Sequence, residues 1–248
     1  RTLPSLREAA PTERYANTRH SNRVTSLAIS PDGKILASGS SDDTIKLWNL
    51  ATGEQIRTLG VVYPERYYNS VTAIPISPSV AAIGSSDNTI KLWNLATGEQ
   101  IRTLPSLREA APTERYVNTR HYNSVACQCQ FRIPSVTSIA ISPDGKTLAS
   151  VSEFGTITLW NLATGEQIRT LAGHSGDVDS VAISPDGKIL VSGGIWDKTI
   201  KLWNLTTGEE IRTLTEHSEG VTSVAISPDG KTLVSGSRDK TIKIWRLE

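Results

Sequence analysis

The sequence predicts an all-β fold, a five-bladed propeller in which each blade is a sheet of four antiparallel strands. Three observations predict it. Tryptophan recurs at a nearly constant spacing, the strings around it repeat almost unchanged, and turn residues punctuate every repeat at fixed offsets. A period of about 40–45 residues with four short strands per unit is the signature of such rings.

The repeat tryptophans are Trp48, Trp93, Trp160, Trp203 and Trp245, at intervals of 45, 67, 43 and 42 residues, so one interval carries an insertion. The string TIKLWNLATGEQIRTL stands at 44–59 and again at 89–104. Close variants stand at 156–171 and 199–214, and a shortened copy, TIKIWRL, stands at 241–247. Ahead of four of these copies runs an SPDGK turn, at 30–34, 142–146, 184–188 and 227–231, and the second unit has the clipped Ser77-Pro78-Ser79.

The first unit can be read strand by strand. Val24–Ser30 alternates apolar and polar, as a half-buried strand does. Pro31-Asp32-Gly33-Lys34 is turn chemistry, since Pro presets φ and Gly accepts positive φ. Ile35–Ser40 is a second strand of small residues, and Ser41-Asp42-Asp43 turns the chain again. Thr44–Leu50 is rich in β-branched and aromatic residues, and Gln55–Leu59 is an outer, more polar fourth strand. No stretch of the unit keeps a 3.6-residue period, so the repeat itself should contain no helix. Within the linkers, Ser5–Ala10 could make one or two helical turns before Pro11.

These residues resemble the WD repeat: a His, a strand ending in SPDG, then S-x-D-x-TIKLW-N, with Asn49, Asn94, Asn161 and Asn204 where that family usually has Asp. The near-identity of the units is similar to bacterial members of the family. The resemblance covers nearly the whole chain and implies a fold, while such propellers host many unrelated functions. It implies that Arg1-Thr2-Leu3 pairs with the last blade and closes the ring, because the chain begins with the end of a fourth strand and ends after a third. Residues 1–248 then form one domain, with long linkers at 4–23 and 105–135. Six or seven blades, seven being commoner in the family, would need subunit pairing or further chain.

His20, Ser38, Asp42 and Trp48 recur as His174, Ser192, Asp197 and Trp203, and as His217, Ser235, Asp239 and Trp245. A catalytic triad is needed once and a packing device in every blade. The family resemblance likewise implies a hydrogen-bond network tying strands within a blade. Blade two has Tyr67 and Ile83 at the His and Ser positions, and blade three has Arg132 and Phe154 at the His and Asp positions, so both should be weaker.

Variation concentrates on one face. The SPDGK and ATGE turns should share one face and be nearly monotonous, whereas the linkers and S-x-D turns should share the other. The linkers run from seven residues (Leu171–Val178) to 32 (Leu104–Val136), and residues 1–24 recur at 102–125 with three changes. All six tyrosines lie in them, and Tyr and Arg are the types enriched at interface hot spots. Tyr63, Arg66, Tyr67, Tyr68, Arg115, Tyr116, Arg120 and Tyr122 are therefore the candidate partner-binding residues, joined by Trp196 at a widened turn. Packing of the loops onto the ring is the competing use of the same tyrosines.

The expected function is a non-catalytic docking scaffold for a protein or peptide, with recognition of a small glycan or peptide ligand as the alternative. Net charge is +1, from 26 basic and 25 acidic residues, which favours neither nucleic acid nor an anionic membrane. No catalytic motif, cofactor loop or metal-ligand cluster is evident. Cys127 and Cys129 are too close for an unstrained disulfide and too few for zinc, so they read as reduced thiols of a cytoplasmic monomer.

Overall fold

A computed structural model describes residues 20–60, 71–85, 89–104, 135–152 and 155–247. It contains five antiparallel sheets. Blade 1 is β1 (Val24–Ile29), β2 (Ile35–Ser40), β3 (Thr44–Asn49) and β4 (Gln55–Gly60). Blade 2 is β5 (Val71–Ala73), β6 (Val80–Ser85), β7 (Ile90–Asn94) and β8 (Gln100–Leu104). Blade 3 is β9 (Val136–Ile141), β10 (Thr147–Ser152), β11 (Ile157–Asn161) and β12 (Gln167–Leu171). Blade 4 is β13 (Val178–Ile183), β14 (Ile189–Gly194), β15 (Ile200–Asn204) and β16 (Glu210–Leu214). Blade 5 has three strands, β17 (Val221–Ile226), β18 (Thr232–Ser237) and β19 (Ile242–Arg246). The strands of the first unit match their predicted bounds to within a residue, and no helix occurs among the described residues.

Turn chemistry sets each hairpin. The Ser30 hydroxyl donates to Asp32 Oδ1 at 2.6 Å, and the Lys34 amide donates to the same oxygen at 3.1 Å, with Gly33 at φ 69°. The arrangement recurs at Ser142/Asp144, Ser184/Asp186 and Ser227/Asp229. After the third strand, Asn49 Oδ1 accepts from the Ala51 and Thr52 amides at 2.9 and 3.2 Å, and Asn94, Asn161 and Asn204 do the same. An amide oxygen performs this capping as well as a carboxylate would, so Asn costs the turn nothing. Blade 2 departs where its sequence does. Without the Asp-Gly pair, β5 shrinks to three residues and only an isolated Ile76–Ala81 bridge continues it.

The core lies between blades. Each of four apolar clusters joins the trailing face of one blade to the leading face of the next. The trailing face offers four positions, represented in blade 1 by Ala37, Ile45, Leu47 and Leu59. The leading face of blade 2 answers with Val71, Ile74, Ala81, Trp93 and Leu95, with Ile76 packed against them. The same positions recur in the junctions of blades 2–3, 3–4 and 4–5. Hydrogen bonds cross as well: Thr25 Oγ1 donates to the Val71 carbonyl, Thr137 Oγ1 to the Val178 carbonyl at 2.6 Å, and the Val224 amide to Ser180 Oγ at 3.1 Å.

Close approach requires glycine at one point of the trailing face. A Cβ on Gly193 would stand 2.7 Å from Val221 Cγ1, and one on Gly39 would collide with Val71 and Ile74. The equivalent Gly236, on the last blade, faces nothing nearer than Ser223 Cβ at 3.9 Å.

The ring closure expected from the sequence is not among the contacts of the described residues. Its strand, Arg1-Thr2-Leu3, lies outside them, and the packing that joins every other pair of neighbours does not recur between blades 5 and 1. Gly193→Ala should lower the melting temperature followed by circular dichroism, overpacking a junction at a cost of about 1–3 kcal/mol.

Candidate functional site

Three blades contain the tetrad predicted from sequence. In blade 4, Trp203 Nε1 donates to Ser192 Oγ at 2.9 Å, and Ser192 Oγ lies 2.7 Å from His174 Nε2. His174 Nδ1 lies 2.7 Å from Asp197 Oδ2. Since Ser Oγ accepts the indole N–H, its own proton goes to His Nε2, and Nδ1–H then faces the carboxylate. Blade 5 repeats this with Trp245, Ser235, His217 and Asp239, at 3.0, 2.8 and 2.7 Å. Blade 1 does so with Trp48, Ser38, His20 and Asp42, at 2.8, 2.7 and 3.0 Å. The Asp also accepts the amide of the residue after His, Ser21 at 2.8 Å and Ser175 and Ser218 at 3.2 Å, so each network pins a linker to its blade.

The Ser–His–Asp order copies that of hydrolytic enzymes, but the serine is unusable as a nucleophile. Ser192 and Ser235 are buried, and each hydroxyl oxygen already accepts an indole N–H. Polar groups so enclosed favour stability when every member is satisfied.

The carboxylates are tuned accordingly. Burial alone would raise Asp42, yet the Thr44 hydroxyl, the Ser21 and Thr44 amides and His20 hold it down at about 2. Burial likewise opposes, and the His174 hydrogen bond together with the Thr199 and Ser175 amides outweighs it, so that Asp197 sits at about 2. Asp239 lies well below the usual carboxylate range, held chiefly by the Thr241 hydroxyl.

Blades 2 and 3 carry the predicted gaps. Ile83 fills the Ser position, fully buried, and the buried Trp93 Nε1 finds no hydrogen-bond partner among the described residues. Trp160 Nε1 still donates to Ser150 at 2.8 Å. Tyr67, Asp87, Arg132 and Phe154 lie outside the described residues.

The two faces divide as the strand order requires. On one, each SPDGK turn meets the next turn of its blade, as when the Leu50 amide donates to the Lys34 carbonyl at 2.9 Å and Leu205 to Lys188 at 2.8 Å. On the other, linkers meet the S-x-D turns: a Cβ on Gly220 would touch the Ile195 backbone, and one on Gly155 the Gly176 carbonyl. Trp196 belongs to this second face. Its turn is wider than that of blade 1, running 195–199 between β14 and β15 against 41–43 between β2 and β3. The indole is 66% exposed and rests on Gly176, whose Cβ position is only 2.5 Å from Trp196 Cδ1. Beside it, Lys198 Nζ donates to the Ser218 carbonyl at 2.7 Å, bridging the turn to the next linker. The remaining candidates, Tyr63, Arg66, Tyr67, Tyr68, Arg115, Tyr116, Arg120 and Tyr122, lie outside the described residues. Their linkers leave and rejoin the fold at Gly60–Val71 and Leu104–Ser135, on the same face as Trp196.

Sequence reasoning missed one feature of the opposite face. Arg57 of β4 reaches over the next blade and donates to the Ala96 and Thr97 carbonyls. The Arg102 and Arg169 side chains lie over Gly165 and Gly208 in the same way. The signal was present in the invariant IRTL, but only the arrangement of neighbouring blades reveals its target.

Among the described residues no group of His, Cys, Asp and Glu could hold a metal ion, and no helix is long and apolar enough to cross a membrane.

What fold and site define is a repeat propeller with a uniform face and a diverged one. The chain belongs to the WD40 family: the description "WD domain, G-beta repeat" matches residues 13–49, 61–94, 126–161, 165–204 and 208–246. The fourth and fifth matches each include the last strand of the preceding blade, β12 and β16, so there the repeat is out of step with the blade by one strand. The chain is also similar to the ribosome biogenesis protein BOP1 homolog of Drosophila virilis, with 42% identity over 60 residues. The homologs of Drosophila erecta and Drosophila melanogaster match equally, again at 42% over 60 residues. The match takes in 23% of this chain and only 8% of those proteins. These relatives are eukaryotic, which leaves the resemblance to bacterial members without support from them.

Ser192→Ala should destabilise the fold by about 2–4 kcal/mol, since it strands a buried indole N–H and a buried imidazole nitrogen together. Urea unfolding monitored by tryptophan fluorescence reads this loss. Acid should act through the same networks. The Asp42 and Asp197 pKa values are depressed on folding, so their contribution is full above the unfolded value near 4 and is lost as pH falls toward 2. The melting temperature should be level from pH 8 to 5 and then fall steadily between pH 4 and 2.

Proposed function

We propose that the chain is a non-catalytic interaction scaffold that binds a protein or peptide through its linker face. The observation that carries this reading is Trp196, an exposed indole seated on Gly176 on the face where the blades differ. A large apolar side chain held rigid at the surface makes contact at little entropic cost, as interface anchors do. The Tyr- and Arg-rich linkers at 61–70 and 105–134 spring from that face and would supply the surrounding contacts. The same surface suits a second reading, stacking of a glycan ring or small peptide on Trp196. The name of the BOP1 relatives suggests service in a large assembly, and the balanced charge of this chain favours its protein components over nucleic acid or membrane.

The reading has finer parts. We read Arg1-Thr2-Leu3 as the fourth strand of blade 5, because among the described residues no strand pairs with the outer edge of β19, and because Leu3 matches Leu59, Leu104, Leu171 and Leu214 in sequence. A cytoplasmic, bacterial setting belongs to the same reading, supported by Cys127 and Cys129 read from the sequence as thiols and by the self-similarity of the repeats.

With a partner isolated by affinity capture and then purified, calorimetry should show at least a tenfold loss of affinity for Trp196→Ala. Replacing residues 105–123 by a short Gly/Ser connection should also weaken binding and leave the circular dichroism spectrum unchanged. Lys188→Ala and Glu209→Ala, on the uniform face, should bind as the parent does. Loss of binding from those two and not from the linker face would place the site on the wrong side in this reading.

A further inference from the structure

The turn that carries Trp196 departs from its equivalents in three coupled ways. In blades 1 and 5 the second strand ends in a serine whose hydroxyl accepts the amide of the tetrad Asp, Asp42 to Ser40 and Asp239 to Ser237, both at 3.1 Å. Blade 4 has Gly194 in that place and one extra residue, Trp196, before its Asp. A side chain at 194 would have no room, since a Cβ there would stand 2.5 Å from His174 Nδ1 and collide with the Asp197 carboxylate. The third change is a lost hydrogen bond. The Thr44 and Thr241 hydroxyls each donate to the Oδ1 of their Asp at 2.6 Å. Thr199, at the same position, keeps its amide bond to Asp197 Oδ1 at 3.1 Å, but its hydroxyl is buried with no partner among the described residues. Asp197 is correspondingly more open, with 14% of its side chain exposed against 6% for Asp42 and 7% for Asp239. An orphaned buried hydroxyl costs stability, so the inserted indole weakens the network beneath it. Local rules broken in this way mark working sites.

The charges around the indole are unequal. Lys198, next but one along the turn, is engaged by the following linker, 2.7 Å from the Ser218 carbonyl and 3.6 Å from Glu219. Asp177 follows Gly176, on which the indole rests, and its carbonyl accepts the Ile195 amide at 2.9 Å, so it borders the same turn. Its carboxylate makes no hydrogen bond or ion pair with any described residue. Asp197, ionised, has an oxygen that the Thr199 hydroxyl no longer covers. An exposed aromatic face beside two carboxylates, with the nearby ammonium already satisfied, suits a cation.

We propose that Trp196 receives an arginine side chain of the bound partner, the guanidinium stacked on the indole with its N–H groups turned to Asp177 and the opened edge of Asp197. Arginine suits the site better than lysine, because its planar, weakly hydrated group stacks on an aromatic face and donates to carboxylates in a single pose. A glycan ring would cover the indole and leave both carboxylates without a cation. The inference rests on the linker face being the docking surface, and it adds the chemistry that surface reads, a basic segment with arginine at the anchor position.

The test uses the full chain and two probes, acetyl-Gly-Arg-Gly-amide and its citrulline counterpart, which keeps the shape and lacks the charge. Binding is read from the Trp196 indole N–H signal in heteronuclear NMR spectra, assigned by its loss in Trp196→Ala. The arginine probe should shift that signal saturably and bind about fivefold tighter or more than the citrulline probe. Asp177→Asn, outside the tetrad, should remove most of that preference. Replacing residues 194–198 with Ser-Arg-Asp-Lys, the sequence of 237–240, takes out the insertion, and this variant should melt higher than the parent and bind the arginine probe no better than the citrulline one. Equal affinity for the two probes, the absence of any shift, or a preference untouched by Asp177→Asn or by the turn replacement overturns the inference. The docking reading fails separately, if Trp196→Ala leaves the affinity of a purified protein partner unchanged. A partner that needs Trp196 while the two probes bind alike would keep that reading and overturn the arginine.

Discussion

Blade-on-blade packing is the interaction on which the rest of this structure depends. A single four-stranded sheet here has little interior of its own. Its two faces become a core only when a neighbour covers them, which is why every apolar cluster spans two blades. The junction is built from small and branched residues that leave room for close approach, with a glycine where a valine enters and an arginine bridging one rim. A unit that cannot bury its hydrophobic face alone is the physical reason for repetition.

The tetrads serve a different purpose from the junctions. They run from tryptophan on the third strand, through serine on the second, to histidine in the linker and aspartate in the turn, all on one blade. They therefore fix how each linker leaves the sheet, and so aim the diverged face. Their distribution is uneven. Blades 1, 4 and 5 have full networks, whereas in blade 2 the Trp93 indole has no hydrogen-bond partner among the described residues.

The fold was legible in the sequence because repetition turns weak local signals into a strong periodic one. Trp48 and its four equivalents, the SPDG turns and the His–Ser–Asp positions each gain meaning from recurrence. Ile83 in place of serine announced the orphaned Trp93 for the same reason. The candidate site was legible only as far as Trp196, which breaks the repeat. Its seat on Gly176 could not be read, because that contact joins a turn to a linker about 20 residues away across the face. The 74% exposure of both Ile242 and Ile244 on blade 5 was hidden more deeply. Both fit the repeat at positions buried in every other blade, and local sequence carries no mark of whether a neighbour is present.

The central claim is that the apolar core is built between neighbouring blades, and a disulfide across one junction reads it directly. At the 4–5 junction the Cβ position of Gly193 stands 3.2 Å from Val221 Cβ, near the separation a disulfide needs. With Cys127 and Cys129 changed to serine, the Gly193→Cys/Val221→Cys chain should oxidise to a cross-linked form of one-chain mass that melts higher than its reduced form. A pair that stays reduced under oxidant, or that links only separate chains, would contradict the account.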